Sequence, residues 1–120
     1  MAAADARLPR CRRLQAAAEY AAVFEHRRVL RGEWFNLHFG PTGDESRLGL
    51  VIPKKFARLS VARNLLKRIG REAYRCARAE LPPRILVVRL ARQLTMAERS
   101  GEARRRWRAD IEALLARVPR

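Results

Sequence analysis

The sequence predicts an α/β two-layer sandwich with the element order αββαβα. Apolar residues recur every three to four positions near both ends of the chain and in one long central stretch, which is typical of helices. The segments between these stretches either alternate polar with apolar residues or are nearly all apolar, which predicts strands. The 120 residues suit one domain with one core. We place this domain at residues 14–118, after a basic arm at residues 1–13 that is expected to be flexible.

The first helix is predicted over residues 14–27, which are rich in alanine and carry apolar side chains at helical spacing. Gly32 breaks the pattern, and the stretch EWFNLHFG then alternates as a strand does. One face of this strand carries Phe35, Leu37 and Phe39, and the other carries Trp34, Asn36 and His38. The first of these faces is assigned to the core.

The second strand, RLGLVIP, follows a turn at residues 41–44. Because the connection is short, the first two strands are predicted to pair as a hairpin. A basic loop leads to Ser60, the predicted N-cap of a second helix that runs to residue 78. Pro82 and Pro83 stop this helix. The third strand, RILVVRL, is nearly all apolar, as expected of a buried central strand.

The last helix is predicted over residues 102–118, after a loop with a short helical turn around residues 95–99. Its apolar stripe consists of Trp107, Ile111, Leu114, Leu115 and Val118. Trp107 is assigned to the core, where it anchors the helix. The arginine-rich run at residues 104–108 is interpreted as diffuse electrostatic support.

The chain carries 27 Lys and Arg against 12 Asp and Glu, a formal net charge of +15. A folded domain this basic repels itself unless a polyanion neutralises it, and nucleic acid is the leading candidate. An anionic membrane is the competing polyanion, but no apolar run approaches the roughly 20 residues of a membrane span. Cys11 and Cys76 are interpreted as reduced thiols of a cytosolic protein. With only His26 and His38 beside them, they lack the spacing of a metal site.

The second helix separates its charges from its apolar residues. One arc about 140° wide carries Arg63, Asn64, Lys67, Arg68, Arg71, Arg75 and Arg78. A solvated helix face is the alternative, but such a face normally mixes signs, and like charges four residues apart are destabilising. This arrangement therefore suggests a bound anion. Lys54 and Lys55 lie just before the helix N-terminus, where they could complete an anion site.

The stretch LGLVIPKKFARLSVARNLLKRIGREAYR resembles the signature region of the protein subunit of bacterial ribonuclease P. It has that family's Lys-Lys pair, an Arg-Asn motif at Arg63 and Asn64, and the basic residues that follow. The resemblance covers residues 8–118 and includes two aromatics four residues apart, Tyr20 and Phe24. The chain departs from the pattern at Leu65, where the third residue of the Arg-Asn-Arg motif is an arginine, and at His38, where a tyrosine is common.

The resemblance implies a mixed sheet with a left-handed βαβ crossover, in place of the usual right-handed one. It also implies a cytoplasmic protein that helps remove the 5′ leader of precursor tRNA and carries no catalytic residue. The catalytic centre would be RNA, with Mg²⁺ bound mainly by that RNA and the substrate, and the protein would be monomeric outside the particle. The expected contacts with catalytic RNA are Lys54, Lys55, Arg63, Asn64, Lys67, Arg68, Arg71 and Arg75. The expected contacts with the single-stranded leader are Tyr20, Phe24, Trp34, Asn36 and His38.

Three other functions compete with this interpretation. A general RNA-binding or ribosome-associated protein would share the charge and the fold. A protein-only nuclease would need a carboxylate cluster or a His pair, whereas the carboxylates are scattered and the two histidines lie on different elements. A cationic membrane-active protein would need a bulky apolar face for lipid. Tyr20 and Phe24 also fit plain core packing, because aromatics four residues apart usually pack against a sheet.

Overall fold

The structure is a computed structural model that describes residues 17–94 and 101–119. Its elements are α1 (Ala17–Glu25), β1 (Arg28–Arg31), β2 (Phe35–Thr42), β3 (Arg47–Val51), α2 (Ser60–Ala77) with a 3₁₀ turn (Arg78–Glu80), β4 (Arg84–Leu90) and α3 (Gly101–Ala116). The basic arm at residues 1–13 and the predicted turn at residues 95–99 lie outside the described residues.

The four strands form one mixed sheet in the order β1-β2-β4-β3. β4 pairs antiparallel with β2 and parallel with β3, so β3, α2 and β4 make the predicted βαβ crossover, whose hand stays a prediction. The hairpin predicted between β2 and β3 is wrong, because β4 lies between them. Gly43, in the connection, instead donates its backbone N–H to the carbonyl of Pro83, at the entry to β4, at 2.6 Å.

The hairpin partner of β2 is β1, a strand that the sequence analysis missed. α1 ends at Glu25, and Arg27 adopts a left-handed backbone with φ of 56°, which redirects the chain straight into β1. β1 has only four residues, RVLR, too few to show a strand period of their own. The predicted helix at residues 14–27 therefore gives way to a strand within a few residues.

The two faces of the sheet are covered by different helices. The larger core lies between the sheet and the helices α2 and α3, and it includes Phe35, Leu37, Phe39, Leu86, Val88, Leu90, Leu66, Tyr74, Trp107, Ile111 and Leu114. On the other face, Val23 of α1 packs on Val87, with Tyr20 and Phe24 partly buried beside them. The predicted combination of helices with a mixed sheet, the core face of β2 and the apolar stripe of α3 are thereby confirmed. The prediction of two layers is wrong, because α1 adds a layer on the second face, and the predicted order αββαβα lacks β1.

The start of α2 differs from the prediction by one residue. The N-cap is Leu59, whose side chain makes no capping hydrogen bond, so the prediction of Ser60 as N-cap is wrong. The guanidinium of Arg63 donates hydrogen bonds from Nη1 to the carbonyls of Ala57 and Arg58 at 2.9 and 2.7 Å. Arg63 thus holds the loop before the helix from inside the first turn.

Asp110 joins α3 to the turn between β1 and β2. Its carboxylate accepts hydrogen bonds from the backbone N–H groups of Glu33, Trp34 and Phe35 at 2.9, 2.9 and 3.0 Å. A Cβ at Gly32 would lie 2.6 Å from Asp110 Oδ1, so only glycine fits beneath the carboxylate. The turn is therefore fixed by a residue far away in sequence.

Asp110→Asn is expected to lower the free energy of unfolding by about 2 kcal/mol, because an NH₂ group then faces at least one backbone N–H in either amide orientation. Urea unfolding followed by circular dichroism measures this change. Glu112→Gln is the matched control: it removes one charge from the exposed side of the same helix, and we expect a change within about 0.5 kcal/mol. Equal losses of unfolding free energy in the two variants would mean that the removed charge, and not the hydrogen bonds from Asp110 to the turn, stabilises the protein.

Candidate RNA-binding surfaces

The predicted basic arc lies on the side of α2 that faces away from the sheet. The inner side buries Leu66, Gly70, Ala73 and Tyr74. Gly70 allows the helix to approach β3, since a Cβ there would lie 2.6 Å from a methyl group of Leu50. On the outer side, Asn64 and Arg68 are exposed, and Arg63, Lys67, Arg71 and Arg75 are half-buried. Close packing on one side thus leaves a continuous basic face on the other.

The Lys-Lys pair lies in the turn between β3 and α2, and both side chains are exposed. Lys55 Nζ lies 5.0 Å from the ring centroid of Phe56, a cation–π contact. The backbone of Phe56 accepts a hydrogen bond from the N–H of Leu94 at 3.0 Å. The pair is therefore carried by a turn that is hydrogen-bonded to the segment after β4, next to the first turn of α2. We refer to the exposed side of α2 with Lys54 and Lys55 as the helix surface.

A second basic surface lies on the α1 face of the sheet. Strand register aligns Arg31, Asn36 and Arg89 in one row across β1, β2 and β4. The neighbouring row contains His38, whose ring lies 4.8 Å from that of Phe24 in an edge-to-face arrangement. We refer to this part of the sheet, with Tyr20 and Phe24 of α1, as the sheet surface. It combines aromatic rings with two guanidinium groups.

The sequence analysis predicted four residues of the sheet surface and missed Arg31 and Arg89. Both arginines alternate in sequence with core residues of their own strands, which was a usable signal. Their proximity to Asn36, however, follows from strand pairing, which the predicted hairpin had wrong.

Trp34 lies elsewhere. It precedes β2, is 6% exposed and belongs to the larger core together with Phe35, so the prediction that it faces the side of Asn36 and His38 is wrong. The alternation fails here because the carboxylate of Asp110 accepts a hydrogen bond from the backbone N–H of Trp34. This contact sets the direction of the backbone before the strand begins. Arg92 places its guanidinium carbon 5.3 Å from the Trp34 ring centroid.

These features agree with comparisons to known proteins. The family model described as Ribonuclease P matches residues 8–118. A relative from Azoarcus sp., "Ribonuclease P protein component", is 40% identical over 98% of this chain and 95% of its own length. One of the same name from Paraburkholderia xenovorans is 39% identical over 98% of this chain and 87% of its own. The chain belongs to the ribonuclease P protein family.

Solved structures of the ribonuclease P protein support the fold as well. The protein from Thermotoga maritima superposes with a TM-score of 0.75 at 31% identity, over 90% of this chain and 98% of that one. A mutant of the Staphylococcus aureus protein, described as defective in mRNA degradation, has a TM-score of 0.74 at 18% identity, over 88% and 86%. The second likeness concerns the fold alone. Family membership makes this chain a protein component of ribonuclease P, which acts in tRNA processing and works together with an RNA.

His38 is the one histidine on the sheet surface. Its pKa is lowered from the ordinary 6.5, first by burial and then by the positive charges of Arg89 and Arg31. The imidazole is therefore neutral at pH 7 and able to stack as an uncharged ring. His26 instead contacts Phe39, with ring centroids 6.4 Å apart.

Neither surface is built to hold a cation. Within residues 17–94 and 101–119, no group of three His, Cys, Asp or Glu side chains converges as metal ligands do. The charged groups of both surfaces are mainly guanidinium and ammonium, which repel Mg²⁺ and attract phosphate. In the same ranges no helix is long and apolar enough to cross a membrane.

Arg89→Gln is expected to raise the pKa of His38 towards 6.5, because it removes the larger of the two charge effects while burial remains. A ¹H–¹³C NMR titration of the imidazole measures the shift. Arg104→Gln is the matched control, since Arg104 lies on α3 behind the opposite face of the sheet. An unchanged His38 titration in Arg89→Gln would contradict the assigned cause.

The sign of the linked stability follows from the lowered pKa. The unfolded chain binds more protons than the folded one between the folded pKa and 6.5. The stabilising contribution of neutral His38 is therefore complete above pH 6.5 and is lost as the pH falls towards the folded value.

Proposed function

We propose that this chain binds the catalytic RNA of ribonuclease P through the helix surface and the single-stranded 5′ leader of precursor tRNA through the sheet surface. The observation that supports this proposal most directly is the pair of basic surfaces, one on the outer side of α2 and one on the other face of the same sheet. A small protein with two such surfaces is able to join two RNA molecules.

The helix surface suits a structured RNA. Its arginines offer planar donor pairs to phosphates, and Asn64 adds an exposed amide that both donates and accepts. The repulsion among Arg63, Lys67, Arg71 and Arg75, each four residues from the next, is relieved when phosphates lie between them. Binding of this kind releases counterions and so depends strongly on salt.

The sheet surface suits a single strand. Phe24 and neutral His38 present rings for base stacking, which accepts any base and is worth about 1–3 kcal/mol per base. Arg31 and Arg89 lie in the next row and would neutralise the backbone phosphates of the same strand. Asn36, between them, offers one amide for a hydrogen bond. This combination predicts leader binding with little sequence preference.

In this proposal the chemistry belongs to the RNA subunit. Mg²⁺, held by RNA and substrate, supplies activation of the attacking water. The protein's residues bind, orient and neutralise phosphates, which reduces the repulsion between the two RNA molecules and with it the Mg²⁺ concentration that cleavage needs. The protein acts in the cytoplasm and is monomeric outside the particle.

Reconstitution tests the proposal. Precursor tRNA is incubated at low Mg²⁺ with the cognate ribonuclease P RNA, with the protein, and with both. We expect cleavage at the mature 5′ end only when both are present. Tight RNA binding without stimulation would favour a general RNA-binding protein, and cleavage by the protein alone would assign the chemistry to it.

The salt dependence of RNA binding tests the helix surface. Lys67→Gln with Arg68→Gln is expected to reduce the magnitude of the slope of log K against log [salt] by about 2, roughly one per lost phosphate contact. Arg63 is left unchanged because it holds the loop before α2. Filter binding to ribonuclease P RNA over a salt series measures the slope.

Arg104→Gln with Arg105→Gln is the matched control, because it removes the same charge from exposed positions of α3. A much smaller slope change in this control is expected. Equal changes in both double variants would show that net charge, and not the helix surface, determines binding.

A further inference from the structure

Two large apolar side chains are exposed beside the helix surface. Leu59 is 49% exposed and Val61 is 74% exposed. In the part of the chain that the structure describes, these two are the exposed large hydrophobic residues. They flank the first residue of α2. A single exposed apolar residue needs no explanation, but two together at one helix end form a small apolar patch.

The position of Leu59 is unfavourable for the free protein. It is the N-cap of α2, with the extended backbone of that position at φ −80° and ψ 133°, yet leucine offers no side-chain acceptor to the free backbone N–H groups. Serine or aspartate would stabilise the helix there. Local choices that sacrifice stability in this way are found mainly at functional sites.

The surroundings of the patch identify the class of partner. Lys54, Lys55 and Arg58 are exposed nearby, and the first turn of α2 contains no acidic residue. The positive end of the helix dipole adds to this potential. An apolar patch in such a setting matches RNA, which offers apolar faces of unstacked bases and sugars beside its phosphates.

Leu65 extends the patch along the helix. It lies four residues after Val61, one helical turn further on, and it is only partly buried against the core. The exposed part of Leu65 therefore continues the apolar surface of Val61.

We propose that Leu59, Val61 and Leu65 form an apolar edge of the helix surface that packs against a base or sugar of the ribonuclease P RNA. This inference rests on the proposed function and adds a contribution to affinity that releases no counterions. It therefore differs from the lysine and arginine contacts in a measurable way, because salt does not weaken it.

Leu59→Ser and Val61→Thr test the edge in filter binding to ribonuclease P RNA over a salt series. Each variant is expected to weaken binding by about tenfold or somewhat less, as the loss of a buried aliphatic contact implies. The lines of log K against log [salt] should shift in parallel, with unchanged slope. Leu59→Ser should also raise the thermal midpoint of the free protein, because it supplies a cap. If Leu59 had only a structural role, the thermal midpoint of the free protein and its affinity for the RNA would change in the same direction.

Ala113→Thr on the exposed side of α3 is the control for adding a hydroxyl to a helix surface. Unchanged RNA affinity in both edge variants, with normal binding by the unaltered protein, would overturn the edge and leave the proposed function intact. A changed slope would assign the effect to charge and overturn it too. Self-association of the free protein that Val61→Thr abolishes, with RNA affinity unchanged, would assign the patch to a second copy of the chain. Failure of the unaltered protein to bind the RNA would instead contradict the proposed function.

Discussion

The position of β4 at the centre of the sheet is the constraint on which the rest of the structure depends. Leu86, Val87, Val88 and Leu90 have no exposed surface, and they face alternately the larger core and α1. A strand that is apolar on both faces is stable only between two neighbours with a helix layer on each side. β4 therefore lies between β2 and β3, and its two faces contact the larger core on one side and α1 on the other. Both candidate surfaces exist because of this arrangement.

The strongly patterned elements could be predicted from the sequence, because their signal lies within one segment. The apolar stripe of α3, the amphipathic α2 and the apolar β4 each determine their own burial. The pairing of the strands could not be predicted in this way. Two strands joined by a short connection usually pair as a hairpin. Here β4, which comes later in the sequence, lies between β2 and β3. Local patterns report what a segment buries, not which strand lies beside it.

The residues of the sheet surface show the same limit. His38 was predicted because strand alternation determines its face, whereas Phe24 was predicted from the family resemblance, since its helical spacing fits core packing equally well. Trp34 was misplaced because the backbone of its turn is held by Asp110, a residue 76 positions away. Arg31 and Arg89 were missed because strand register, which no local pattern reports, aligns them with Asn36. Long-range contacts therefore determined both errors.

The two surfaces differ in how their charges are arranged and in what lies beside them, and this difference fits the two kinds of RNA in the proposed function. Arg31 and Arg89 rise from β1 and β4, each about 4.8 Å from β2 between them, and the half-buried, neutral imidazole of His38 lies in the next row, so the spacing of the strands is set before any RNA binds. The charges of the helix surface instead stand on long side chains along one helix, where Arg63 also donates hydrogen bonds to the carbonyls of Ala57 and Arg58. A fixed row with rings beside it favours a regular, sequence-tolerant single strand. A row of cations along one helix favours the phosphates of a folded RNA, where shape and not sequence must be matched.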